Sequence, residues 1–178
     1  MKQTLSKIHA RFRQLRNGEV ADNLRMQGVS YHLAWGVESY RLKAIAEEVK
    51  AEVNDPETLR SLAEYLLAED VRESKMIATR LYPLDLLTKD KAEEWASGIT
   101  YTEQADQACM NLFSRVPFAP ELMKSWLQSN SSIMLYMSLQ LALRLDIGDA
   151  EIKQRASQLS DDTDRPLWLR TMANNLLL

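Results

Sequence analysis

Apolar residues recur along this chain at three- and four-residue intervals, the spacing of helices that bury one face. The strict alternation of a half-buried strand is missing throughout. The clearest case is 54-NDPETLRSLAEYLLAED-70, where Leu59, Leu62, Ala63, Leu66 and Leu67 form one stripe. Its Asn-Asp-Pro opening marks the start, because a first-turn proline gives up no hydrogen bond the helix needs and has its φ already set. The stretch that follows, 70-DVRESKMIATRLYP-83, predicts a further helix ending at Pro83. Val71, Ile77, Ala78 and Leu81 face the core, and the charges of Arg72, Glu73 and Lys75 lie on the other side.

The same reading extends in both directions. Helices are expected from about Thr4 to Arg16, stopped by Asn17-Gly18, and from Glu19 to Gln27, stopped by Gly28. A linker, 29-VSYHLAWGVE-38, leads to Ser39, read as the cap of a helix running to about Val53. Downstream, helices are expected around Lys91–Ala96, Thr102–Arg115, Pro120–Leu127, Ser132–Leu145 and Asp149–Leu159. A last one runs from about Asp164 to the C-terminus, with Asp164 as cap and Pro166 in the first turn.

These helices come in pairs. Pro83, Pro117 and Gly148 close successive pairs at spacings of 34 and 31 residues, and Trp95 and Trp126 recur 31 residues apart on the first helix of each pair. A period of that length with two helices per unit marks a solenoid, in which each pair buries its apolar face on its neighbours. The second helices are the more apolar, Ile133–Leu143 nearly all round, and are expected to form the interior layer. The expected fold is all-α, an α-solenoid of HEAT-like helix pairs spanning residues 1–178 as one domain.

Composition narrows the chemistry. A chain of 178 residues with only five Gly and five Pro has few loops. Cys109 has no internal disulfide partner, and His9 and His32 are the only histidines, so neither a metal nor another cofactor is expected. The N-terminal MKQTLSKIHARFRQLR is polar and basic rather than secretory, and 133-IMLYMSLQLAL-143 is too short to span a bilayer. A cytoplasmic protein without membrane association is expected. Residues 1–50 hold nine Lys/Arg against five Asp/Glu, a net +4, on a chain whose total is −3. That asymmetry suits a local phosphate contact. Arg11, Arg13, Arg16, Arg41 and Lys43 are the candidates, the last two in the opening turns of a helix.

The segments 33-LAWGVESYRLKAIAEE-48 and 72-RESKMIA-78 resemble two early blocks of the HEAT-like alkylpurine DNA glycosylases of the AlkD type, and the helix pairs downstream fit as well. The resemblance covers most of the chain from about Met26, at scattered positions. It implies excision of alkylated purines from double-stranded DNA by an Asp beside a Trp on one inner helix, an Arg on the next and a Trp on a later one. An alkylated base is already a cationic leaving group, so an anion and aromatic faces beside the developing sugar cation suffice. Carried over by position, Asp106 falls at the carboxylate, Thr102 with adjacent Tyr101 at the first Trp, Met137 or a neighbour at the Arg, and Asn174 at the second Trp. The enzyme reading therefore rests on Asp106 as the stabilising anion and Tyr101 as an aromatic wall, with weak or lost excision.

Bland readings compete at several positions. Asp106 sits early in its helix, where any carboxylate is favoured by the macrodipole. Cys109 lies on an apolar stripe and reads as a buried, inert thiol. Tyr31, His32 and Trp35 either stack on bases or plug the end of the helix stack. The alternative to a repair enzyme is a non-catalytic scaffold that uses the concave face of the stack for a protein or nucleic-acid partner.

Overall fold

A computed structural model describes all residues, Met1–Leu178. It contains eleven α-helices and two 3₁₀ turns, and its single β feature is a bridge between Leu33 and Val71. The chain divides into two compact units, Met1–Leu86 and Leu87–Leu178. No helix is long and apolar enough to cross a membrane.

The first unit contains α1 (Lys2–Gln14), α2 (Gly18–Met26), α3 (Ser39–Glu52), α4 (Pro56–Ala68) and α5 (Arg72–Leu81). Helix α4 starts as its sequence dictates: the Asp55 side chain accepts from the Thr58 N–H at 2.9 Å, and Pro56 occupies the first turn. Two expected caps differ. Asn17-Gly18 does not merely end α1, since the Asn17 side chain accepts from Val20 N–H and opens α2. Ser39 is already helical, and Glu38 takes the N-cap position without a side-chain cap bond. The Ser39 hydroxyl instead accepts from Arg80 at 3.3 Å.

The core of this unit comes from the apolar stripes of α1, α3, α4 and α5, with Phe12, Ile45, Leu66 and Ile77 sealed from solvent. Two of the charges on α5 are sealed as well: Arg72 is 4% exposed and Glu73 fully buried, while Lys75 stays partly exposed. Their partners explain why: Arg72 Nη1 donates to Glu73 Oε1 at 2.9 Å and to the Val37 carbonyl at 3.0 Å. Glu73 in turn accepts from the backbone N–H groups of Trp35 at 3.0 Å and Val37 at 3.1 Å. The linker 29–38 has no helix to satisfy its amides, so the pair on α5 does so. The bridge adds Leu33 N–H to the Asp70 carbonyl at 3.2 Å and Arg72 N–H to the Leu33 carbonyl at 3.0 Å.

The second unit contains α6 (Lys89–Ser97), α7 (Thr102–Asn111), a 3₁₀ turn at Phe113–Arg115, α8 (Ala119–Leu127), α9 (Ser132–Leu145), α10 (Ala150–Asp161) and α11 (Leu167–Leu177). The first helices of its pairs are linked side by side: Trp126 Nε1 donates to Glu93 at 2.6 Å, Lys89 pairs with Glu121 at 2.9 Å, and Gln128 reaches Glu151 at 3.2 Å. The second helices pack in turn, α7 on α9 and α9 on α11. This is the layering expected from the apolar character of α9, whose Leu135, Met137, Leu139 and Leu141 have no exposed surface. The hydroxyl of its fully buried Ser138 is satisfied by the Met123 carbonyl of α8 at 2.7 Å.

Helix α9 runs Ser132–Leu145 as expected and is closed by Asp146 in the left-handed conformation, φ 55°, which Asp tolerates better than most side chains. Two other ends depart from the sequence reading: α7 stops at Asn111, with Phe113–Arg115 forming a 3₁₀ turn, and α11 starts only at Leu167. Asp164 does not cap α11: its N–H bonds to Asp162 Oδ1, and Pro166 occupies the N-cap position.

Candidate functional site

Helix α7 places Thr102 and Asp106 four residues apart, hence on one face. Facing them on α9, Tyr136, Gln140 and Arg144 recur at the same interval and interrupt an otherwise apolar helix. The Tyr136 hydroxyl donates to Asp106 Oδ1 at 2.9 Å. Gln140 Nε2 donates to the same oxygen at 2.8 Å and to the Tyr136 hydroxyl at 3.2 Å. Helix α11 then supplies Trp168, whose ring meets Tyr136 edge to face, centroids 5.5 Å apart and planes at 82°. Offset aromatic geometry of this kind is the favoured one, with the positive edge of one ring against the negative face of the other.

Thr102, Tyr136, Leu167, Trp168, Thr171, Met172 and Asn175 line an open cleft of about 490 Å³. Tyr136 is therefore shared: its ring forms part of the wall and its hydroxyl reaches the carboxylate. Trp168 remains 38% exposed and is the accessible aromatic surface of the cleft.

The electrostatics follow from partial burial. Desolvation raises the Asp106 carboxyl above the ordinary aspartate range, and Glu103 adds to this, while the Tyr136 hydrogen bond and the positive charge of Arg144 oppose it. Burial also pushes the Tyr136 phenol up to about 12, with Asp106 contributing, so it stays protonated and donates. Asp106 does not line the cleft itself but lies behind Tyr136, held by two neutral donors, with an exposed arginine one turn beyond Gln140 on α9.

Several expected positions shift in this light. Met137 is fully buried, and the cation whose field reaches Asp106 is Arg144. Asn174 points to solvent while Trp168, six residues earlier, carries the aromatic contact. Tyr101 occupies the N-cap of α7, five residues and so well round the helix from Asp106; the tyrosine hydroxyl bonded to Asp106 is that of Tyr136. Tyr136, Gln140, Arg144 and Trp168 were not singled out as functional from sequence. The polar four-residue stripe on α9 is the signal that could have found the first three.

Over residues 8–176 the chain matches the family model of the DNA alkylation repair enzymes. It belongs to that family. No curated protein and no solved structure matches it at a significant level.

The remaining candidates of this DNA alkylation repair family member lie in the first unit. Arg11 pairs with Glu48 at 3.1 Å, and Arg41 pairs with Glu38 at 3.0 Å while lying 5.2 Å from the Tyr40 ring centre. Arg13, Arg16 and Lys43 are exposed. Trp35 and Arg16, with Arg25 and Gly18, border a shallow cleft of about 350 Å³, and the buried Glu73 fixes the Trp35 main chain. His32 is exposed, its N–H bonded to Asp70 Oδ2 at 3.0 Å. Cys109 is buried under α9, its thiol against the Met137 carbonyl at 3.8 Å and its pKa driven up by desolvation. A thiol so placed has neither the thiolate nor the access that nucleophilic chemistry requires.

Proposed function

We propose that this protein recognises alkylated, cationic purines in duplex DNA at the Asp106–Trp168 cleft and releases them slowly by cleaving the N-glycosidic bond. The observation that carries the reading is the Tyr136 bridge, which sets a carboxylate and an exposed indole on either side of one phenol. A cationic base finds the ring face of Trp168 attractive. When the bond between C1′ and the base nitrogen breaks, its electron pair neutralises the departing base, and positive charge develops on the sugar. Asp106 is the anion that stabilises that charge. Water then adds at C1′ and loses a proton to solvent, leaving an abasic sugar. The low rate is expected from the two donors that already engage Asp106 Oδ1 and so spread its charge. Arg11, Arg13, Arg41 and Lys43 are assigned to backbone phosphates.

The second reading is a non-catalytic scaffold with a protein partner. It is favoured by the ion pairing of Arg11 and Arg41 and by the overall charge of −3. The deciding experiment is release of 3-methyladenine and 7-methylguanine from methylated duplex DNA. The glycosylase reading expects slow release that disappears in Asp106→Asn. No release, together with no salt-sensitive affinity for duplex DNA, would favour the scaffold.

A further inference from the structure

Tyr136 and Gln140 stand four residues apart on one face of α9, and both reach Asp106 where α7 packs on α9. An ionised carboxylate only accepts, so the end of the Gln140 amide that faces it is the amino end. That amino group has two protons and two neighbours, Asp106 Oδ1 at 2.8 Å and the Tyr136 hydroxyl oxygen at 3.2 Å. Because the Tyr136 oxygen accepts from the amide, its single proton is left to point at Asp106 Oδ1, 2.9 Å away. The triangle therefore runs one way, with both donors converging on Oδ1. Asp106 Oδ2 has no partner within the protein and is not sealed from solvent.

Resting on the function proposed above, we infer that Gln140 is a positioning residue: it fixes the carboxylate through Oδ1 and leaves Oδ2 as the oxygen that meets the positive charge developing on the sugar. A carboxylate held by one bond still turns about its side-chain torsions. Two bonds from side chains one helical turn apart, themselves joined by a third, hold it in one orientation. Tyr136 alone does not do this, because its hydroxyl rotates, and without the amide its proton is free to turn away from Asp106. Gln140 thus acts twice, through its own bond and through the direction it gives the phenol. The donors have two effects of opposite sign. Spreading charge from Oδ1 slows base release, whereas holding Oδ2 in place speeds it. The second effect is the larger, since misplacing a reacting group by about 1 Å costs about a hundredfold in rate.

The test removes the donors and keeps the side-chain length, with Gln140→Met in the full chain. Release of 3-methyladenine from methylated duplex DNA should fall about tenfold on the plateau of the pH–rate profile. The acid limb should move to higher pH, because Asp106 loses donors that favour its ionised form. Faster release in Gln140→Met overturns the inference, since it leaves charge spreading as the amide's only effect. The resting protein gives a second readout without DNA. With isotope-labelled aspartate followed by NMR, the Asp106 carboxyl should titrate at higher pH in Gln140→Met than in wild type, and at least as high as in Tyr136→Phe, which keeps the amide bond. An unchanged titration overturns the role of Gln140 whatever the activity. If wild type releases no base, the glycosylase reading and the role of Oδ2 fail together, while a shifted titration still supports the hold of Gln140 on the carboxylate. Should Gln140→Met lose the wild-type helical circular dichroism, proton exchange in the wild type decides. Both Nε2 protons of Gln140 should exchange slowly, and rapid exchange of both overturns the inference.

Discussion

Arg72 and Glu73, neighbours in sequence, form an ion pair at 2.9 Å with almost no solvent access to either. Charges on adjacent helical residues normally splay apart. Here both turn toward the linker 33–37, because its Trp35 and Val37 amides and its Val37 carbonyl need partners that only a carboxylate and a guanidinium on α5 supply. The pair shapes the linker more than it adds net stability, since desolvating two charges offsets much of their attraction. Removing one partner is a different matter. Glu73→Ala leaves a buried guanidinium without its carboxylate and two amides without their acceptor, and should cost about 3–5 kcal/mol in urea unfolding. Replacing both residues with apolar ones of similar size should cost less than the sum of the single changes. A Glu73→Ala loss under about 1 kcal/mol, the level of an exposed pair, would show that the linker does not depend on it.

The linker also contains Gly36, at φ 72°, where an added Cβ would lie 2.0 Å from the Asn17 carbonyl oxygen. Gly28 has a similar φ of 82° but open space around it. The two glycines therefore separate backbone strain from collision. Gly28→Ala should lose about 1–2 kcal/mol, the cost of a left-handed alanine. Gly36→Ala adds a clash with backbone that has no flexible end to move, and should lower the melting temperature by far more. Equal shifts in thermal denaturation would contradict the collision.

Much of this was legible in advance. The stripe of α4, the Asp55-Pro56 start and the apolar α9 follow from periodicity, which burial enforces residue by residue. The Arg72–Glu73 pair was not, because a charged side chain reads as solvated until the segment it satisfies is folded against it. The site was half legible. Asp106 came from resemblance, but Tyr136 and Trp168 meet it through helix packing, which aligned positions do not encode. Trp168 lies six residues before Asn174 and so on another face of α11, the face turned to Tyr136.

Asp106→Asn should separate stability from function. The carboxyl is raised by desolvation, so the folded protein holds this proton more tightly than the unfolded chain does. Such a group supports the fold fully below the unfolded value, near ~3.9, and that contribution is lost as pH rises through the folded value. Asparagine keeps an acceptor for Tyr136 and Gln140 without the charge. The stability of Asp106→Asn relative to wild type should therefore improve from acid to neutral pH, as read by chemical denaturation at several pH values. A relative stability that declines over that range would mean the ionised form is the one the fold favours.

Tyr136→Phe removes a hydrogen bond that lowers the Asp106 pKa. The charged carboxylate then forms only at higher pH. If the ionised form supports base release, the acid limb of the pH–rate profile should move toward higher pH in this variant, with the plateau rate less affected. An unmoved limb would mean that Asp106 is not the group whose ionisation the profile reports.

Charge reversal in the first unit decides whether duplex DNA is the partner. Lys43 and Arg13 are exposed, whereas Arg41 and Arg11 already face Glu38 and Glu48. Binding a phosphate releases counterions, so removing one cation that truly meets a phosphate should lower the slope of log affinity against log salt by roughly one unit. Lys43→Glu and Arg13→Glu should therefore weaken duplex binding more at low salt than at high salt, and by a similar factor for damaged and undamaged DNA. Arg41→Glu should weaken it less than Lys43→Glu does, because it removes a cation whose charge Glu38 already offsets. If instead all variants bind DNA like wild type, or wild type shows no salt-dependent binding, the phosphate assignment fails and a protein partner becomes the stronger reading.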